Sequence, residues 1–250
     1  MTMTELNVPR AAVLSHDAAM HLAAAEYQRF ADMLAALRRG DWTMPTECPG
    51  WDVRAMAAHA LGMVEMAASV REGNRQVRHA RRAGGLFIDA LTALQVEEHA
   101  HLTPTQITGR YAALAPKAAR ARHRVPGFIR RRTLPIPQQV GGRSEDWPVG
   151  YLLDVILTRD PWMHRVDIAR ATGAGHVLTA DHDGSIVADV VTEWAGRHGQ
   201  PFALRLTGPA GGSWASGGGR PLVQLDAIEF CRILSGRGHG DGLLATQVPF

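Results

Sequence analysis

The chain has 250 residues, 46% of them hydrophobic and 20% charged, with a formal net charge of +3. That mix excludes a disordered chain and fits one large or two smaller globular domains. The positive charge is arginine almost throughout, with Lys117 the only lysine, and so small an excess suits anionic small molecules as well as nucleic acid.

From its richness in Ala, Gly and Arg, a GC-rich bacterial source is expected. The only cysteines, Cys48 and Cys231, are far apart and form no disulfide framework, so a reducing cytoplasm is expected. The start, MTMTELNVPR, lacks the apolar centre of a signal peptide. No apolar run approaches the ~20 residues that cross a bilayer. A soluble cytoplasmic protein is expected, as monomer or homodimer.

In chain order, Ser15 can cap a helix over 16–39 that Gly40 ends. After the loop DWTMPTECPGW, Asp52 can cap a second helix, taken as one piece until AGG at 83–85. A third helical region runs from Leu86 toward Arg124. Thr103-Pro104-Thr105-Gln106 interrupts it and reads as a capping box with proline at the first helical position. The Pro-, Gly- and Arg-rich stretch that follows reads as a loop. A fourth helix runs from about Pro148 to Ala171 and ends at Thr172-Gly173.

Beyond Gly173 the texture changes. One more amphipathic helix spans 181–197. FALRLTG, GSWAS and PLVQL read as short strands, with GPAGG and SGGGRP as hairpin turns. DAIEFCRILSG reads as a helix capped by Asp226, and GLLATQVPF as an edge strand. The expected fold class is α+β: a four-helix bundle over 1–173 and a small α+β domain over 174–250.

Two helices carry ionisable groups on core-facing stripes. Met56, His59, Ala60, Met63, Val64 and Ala67 recur at helical spacing, with His59 mid-stripe. Leu153, Leu157, Asp160, His164 and Ile168 do the same in the fourth helix. A buried unpaired charge costs several kcal/mol, so these three groups need partners. Two arrangements supply them: a mutual hydrogen-bond network, with Asp160 an N-cap before Pro161, or a divalent metal. Two histidines and one carboxylate suit zinc and related ions and leave an open coordination position. Pro161 complicates both readings, because it removes the hydrogen bond to the Leu157 carbonyl and disfavours helical backbone at Asp160.

The stretches CPGWDVRAMAAHALG (48–62) and TRDPWMHRVDIARATG (158–173) resemble, in this order, the two helical signatures of the mycothiol-dependent maleylpyruvate isomerase family. LRLTGPAGGSW and DAIEFCRILSGRG are similar to its C-terminal domain. The resemblance runs from about Leu14 to Phe250. It implies a DinB-like four-helix bundle followed by a sterol-carrier-like domain. It also implies a divalent metal, typically zinc, on His59, Asp160 and His164, with a catalytic arginine from the second domain, for which Arg237 in SGRG is the candidate. The family's isomerases carry glutamate where this chain has Asp160, and Pro161 follows directly. The implied chemistry is that of an isomerase or S-transferase. In it a metal-bound thiolate, from the actinobacterial thiol mycothiol, attacks a small electrophile. A hydrolytic water on the same ligands is a variant. The alternative is a non-catalytic protein that binds a small molecule or thiol and carries a structural or vestigial metal site.

Other residues weigh less. Trp51 and Trp162 could wall a pocket or fill the core. Asp167 could orient a ligand histidine, and Arg165 and Asp167 could equally form surface pairs. Cys48 reads as a loop residue. EEHAH (97–101) is a poor metal site, since residues two apart diverge on a helix. The basic run 117–132 has little aromatic interleaving and reads as a solvated helix face and loop, not as a nucleic-acid surface.

Overall fold

The computed structural model describes residues 14–218 and 222–250, together with the backbone of a two-residue strand, β1 (Thr4–Glu5). The chain divides into two compact units. One comprises 16–136 and 146–176; the other comprises 177–250, the segment 137–145 and β1.

The larger unit is helical: α1 (His16–Ala36), α2 (Val53–Ala68), α3 (Val70–Ala83), α4 (Phe87–His99), α5 (Pro104–His123), the single turn α6 (Gly127–Arg130), α7 (Val149–Tyr151) and α8 (Leu157–Thr172). The four long helices α1, α5, α2 and α8 pack in a ring, each against the next and α8 against α1. Phe30, Leu34, Val53, Met56, Ala57, Leu61, Ile107, Tyr111 and Ile168 form the buried centre. Each large apolar side chain taken from water there contributes about 1.5–3 kcal/mol. Helices α3 and α4 flank α2.

Local chemistry sets the helix ends. Asp52 accepts the Ala55 N–H, and Thr103 and Gln106 form the reciprocal capping box with Pro104 behind it. The expected single helix from 52 to 82 is instead two. Ser69 leaves helical geometry at φ −146°, ψ 115° and caps α3 by accepting from Glu72 N–H. A serine hydroxyl that can start a new helix competes with continuation of the old one. The fourth helix is continuous from Val149 to Thr172, but Leu152–Ile156 is a π-helical turn.

In the smaller unit, α9 (Ser185–His198) is entered through a π turn at Ala180–Gly184. Strands β4 (Phe202–Thr207), β5 (Gly212–Ser216) and β6 (Leu222–Asp226) lead to α10 (Ala227–Leu234), capped by Asp226. The sheet order is β1-β5-β4-β6. The pair β4–β5 is an antiparallel hairpin across Gly208–Gly211, whereas β6 runs parallel to β4 on its other side. The segment SGGGRP therefore joins non-neighbouring strands and is not a hairpin connection. Its last three residues lie outside the described residues, as do most of the first thirteen, where no signal segment was expected. Trp194, Phe202 and Phe230 meet edge-to-face at the centre. The tail expected as an edge strand is a 3-10 turn, Gly242–Ala245.

The expected loop before α7 holds a hairpin of this smaller unit, β2 (Gln138–Val140) with β3 (Arg143–Glu145). Gly141 and Gly142 both have positive φ, as a tight two-residue hairpin turn requires. Arg197 of α9 grips Glu145 through both terminal guanidinium nitrogens. The chain is thus α+β, a helical N-terminal domain with a small sheet domain after it. No helix among the described residues is long and apolar enough to cross a membrane. Thr103→Ala removes the hydroxyl that accepts the Gln106 N–H, one half of the α5 capping box, and should lower unfolding stability by about 1 kcal/mol in urea titration, with helix content by circular dichroism unchanged.

Candidate metal centre

α2 and α8 lie side by side in the ring and bring the three expected residues together. One candidate ligand atom from each of His59, Asp160 and His164 lies within 4.8 Å of the others. Asp160 Oδ1 is 3.4 Å from Nε2 of His59 and 3.4 Å from Nε2 of His164. Both distances are long for a charge-assisted hydrogen bond, which prefers about 2.7–2.9 Å. They match the spacing of neighbouring ligands around a tetrahedral ion: N and O ligands about 2.0–2.1 Å from the centre stand roughly 3.3 Å apart. The other carboxylate oxygen, Asp160 Oδ2, is buried and has no hydrogen-bond partner among the described residues. A fully accommodated carboxylate in a hydrogen-bonded core would not leave it bare. These observations fit a divalent cation.

The far side of each imidazole is held by an oxygen. His59 Nδ1 is 2.7 Å from Gln95 Oε1. Gln95 donates its amide to Gln76 Oε1 at 2.8 Å, so its oxygen must face His59. His59 therefore donates its Nδ1–H to the Gln95 oxygen, which leaves Nε2 facing Asp160. Gln76 in turn donates to the Gly62 carbonyl and to Glu72, which pairs with Arg75, and Arg75 with Glu98. Both glutamines are fully buried. Gly62 permits this approach, since a Cβ there would lie 2.5 Å from Gln95 Cγ. His164 Nδ1 is 3.2 Å from Asp167 Oδ2, and the Cys48 thiol is 3.8 Å from the same oxygen. Such oxygen partners fix ring orientation and raise ligand basicity.

The CPGW stretch is a turn closed by the Trp51 N–H to the Cys48 carbonyl, with Gly50 at φ +81° as a type II turn demands after proline. It lays the Trp51 ring 5.1 Å from His59 and 6.2 Å from His164, between ring centroids. Burial alone would raise the Asp160 pKa. The His164 and His59 imidazoles beside it outweigh burial and hold the carboxyl well below the usual carboxylate range. Burial would likewise lower His164, but Asp160, then Asp167 and Cys48, hold it well above the ordinary histidine value.

Residues 23–169 match the family described as the mycothiol maleylpyruvate isomerase N-terminal domain. The chain belongs to this family. The fold of this family member is similar to the crystal structure of the mycothiol-dependent maleylpyruvate isomerase, with a TM-score of 0.57, 15% identity and 90% of each chain covered. It is also similar to that of a histidine-to-alanine mutant of the same isomerase, at 0.55 and 15% with the same coverage. At that identity the likeness speaks for the fold. No curated protein sequence matches the chain.

The other candidates settle variously in this family member. Trp162 is fully buried core, and Arg165 is no surface residue but grips the buried Glu26 with two nitrogens. His99 is buried against Glu65 and the Gln95 carbonyl, while His101 is exposed. Arg237 lies in the smaller unit just after α10, where its N–H donates to the Arg232 carbonyl and its own carbonyl accepts from the Arg232 guanidinium. Within the basic run, Arg122 is 1% exposed and not a solvated residue. Gln95 and Gln76 were missed. Gln95 follows Leu91 and Leu94 on one apolar stripe, and a polar residue there was a readable signal.

Two outcomes follow. Gln95→Leu should weaken divalent-metal binding 10–100-fold, measured by competition with a chromophoric chelator, and Gly62→Ala should act in the same direction by displacing Gln95. In metal-free protein, the raised His164 pKa gives stability that is fully present below about pH 6.5 and is lost as pH rises through its folded value. The depressed Asp160 pKa gives stability present above about pH 3.9 and lost as pH falls through its folded value. In the presence of chelator, the stability lead of the parent over His164→Ala should be greatest near pH 5–6 and shrink toward alkaline pH; a lead that grows with pH contradicts this assignment.

Proposed function

We propose that the protein is a metal-dependent, mycothiol-using isomerase or S-transferase, with His59, Asp160 and His164 holding a divalent cation, zinc by preference. The observation that carries this reading is the pair of 3.4 Å spacings about Asp160 Oδ1, with Oδ2 left bare. Membership of a family named for a mycothiol isomerase supports the thiol.

In this reading His59 and His164 bind through Nε2, and their Nδ1–H bonds to Gln95 and Asp167 keep both rings aimed. Asp160 contributes oxygen and negative charge. A divalent cation bound there supplies Lewis acidity that keeps a thiol ionised at neutral pH. Held by those three side chains, the ion would remain open to a thiol. Trp51 covers both imidazoles and limits water on that side. Arg237 would hold a carboxylate of the substrate by its planar fork. The thiol adds to an electrophilic carbon; its loss after bond rotation makes the overall reaction an isomerisation, and its retention makes it S-transfer. The division into a metal-binding bundle over 1–173 and a small α+β domain over 174–250 belongs to the same proposal, as do a cytoplasmic location and small-molecule partners only.

The test is thiol-dependent turnover. Zinc-loaded protein should convert maleylpyruvate or consume a small electrophile only when mycothiol is present. His164→Ala should lose at least 100-fold in rate. Arg237→Ala should chiefly raise KM for carboxylate-bearing electrophiles. Metal and thiol binding without turnover on any electrophile would instead support the non-catalytic binding protein.

A further inference from the structure

Proline at 161 sits inside α8, one residue after Asp160. It has no N–H, so the Leu157 carbonyl loses its helical partner. One turn earlier the chain makes its π turn. The Leu157 N–H goes to the Leu152 carbonyl, not to Leu153 as in an α-helix. Two carbonyls in the turn that leads into Asp160 are thereby deprived of their usual donors, in the bundle interior.

One side chain serves both. Arg122 reaches across from α5. Its Nε and Nη2 donate to the Leu153 carbonyl, and Nη1 donates to the Leu157 carbonyl at 2.9 Å. The remaining N–H groups go to Thr158 Oγ1 at 2.7 Å and Tyr27 Oη at 2.8 Å. All five guanidinium donors are used. Thr158 and Leu157 lie two and three residues before Asp160, and Tyr27 brings in α1. Lysine could not repeat this, having one nitrogen and no fixed fork.

We infer that Arg122 is a positioning residue of the metal centre: by binding the carbonyls that Pro161 and the π turn leave bare, it sets Asp160 in line with His164 and His59. The inference rests on the metal reading above. A proline beside a ligand then has a function, since it frees a carbonyl that a neighbouring helix can grip. The turn carrying Asp160 is held from α5 and α1, in addition to its own helix.

The experiment compares parent, Arg122→Met, Arg122→Lys and Arg122→Met in a Pro161→Ala background. The readouts are zinc Kd by chelator competition and the visible spectrum of the cobalt-loaded protein, both recorded well below each Tm. Leu102→Ala, a buried core change at a residue with no metal-binding atom, controls for loss of stability alone. The expected result is zinc binding at least tenfold weaker and an altered cobalt spectrum in both Arg122 variants. Restoring an N–H at position 161 should recover part of the loss, and Leu102→Ala should lower Tm with its Kd within twofold of the parent. If Arg122→Met does not fold, Arg122→Lys with Thr158→Val carries the same test. Parent-like Kd and spectrum in the folded Arg122 variants would overturn the inference while leaving the metal reading intact. A parent protein that takes up neither zinc nor cobalt would overturn both.

Discussion

A carboxylate shut into a helical bundle costs several kcal/mol unless its surroundings compensate it, and Asp160 is such a group, with 16% of its side chain exposed. Around it the larger unit supplies two imidazoles at ligand spacing and an oxygen behind each imidazole. It also supplies a buried glutamine pair behind one of those oxygens and a guanidinium that holds the preceding turn. Remove the carboxylate and these polar groups have no common purpose. Apolar residues of similar size would pack α2 against α8 more cheaply. The bundle thus accepts a polar centre of high cost, offset by the hydrogen bonds behind the two imidazoles, while Asp160 Oδ2 has no hydrogen-bond partner among the described residues.

The two sides of the site differ in charge. His59 is backed by a neutral amide, Gln95, and His164 by a carboxylate, Asp167. A carboxylate behind a ligand imidazole makes that imidazole the more basic donor. In the metal-free protein the same carboxylate helps keep His164 charged and paired with Asp160.

Much of this was legible in the sequence where period and capping speak directly. His59 mid-stripe, Asp160 and His164 one turn apart, Asp52 and Thr103 as caps, and the change of texture after Gly173 all follow from spacing and side-chain chemistry. The rest was hidden for physical reasons. The break at Ser69 rests on a choice between continuing one helix and capping another, and helix-forming residues stand on both sides of it although the texture turns from apolar to polar. Arg122 lies in a basic run in which Lys117, Arg120, Arg124, Arg131 and Arg132 are exposed and Arg130 is half-buried. Only a tertiary gap, two carbonyls deprived by Pro161 and the π turn, selects it for burial. The Gly141-Gly142 pair was a readable hairpin signal obscured by surrounding prolines and arginines. The parallel pairing of β6 with β4 is a matter of chain path, which turn residues do not encode.

The central claim is that His59, Asp160 and His164 share one divalent cation. The most direct test is elemental analysis of the purified, zinc-reconstituted protein beside His59→Ala, Asp160→Asn and His164→Ala, each checked for folding by circular dichroism. The account predicts about one ion per chain in the parent and a loss of most of it in each folded variant. Equal metal content in parent and variants, or none in the parent after reconstitution, would contradict it and leave a hydrogen-bonded polar core in its place.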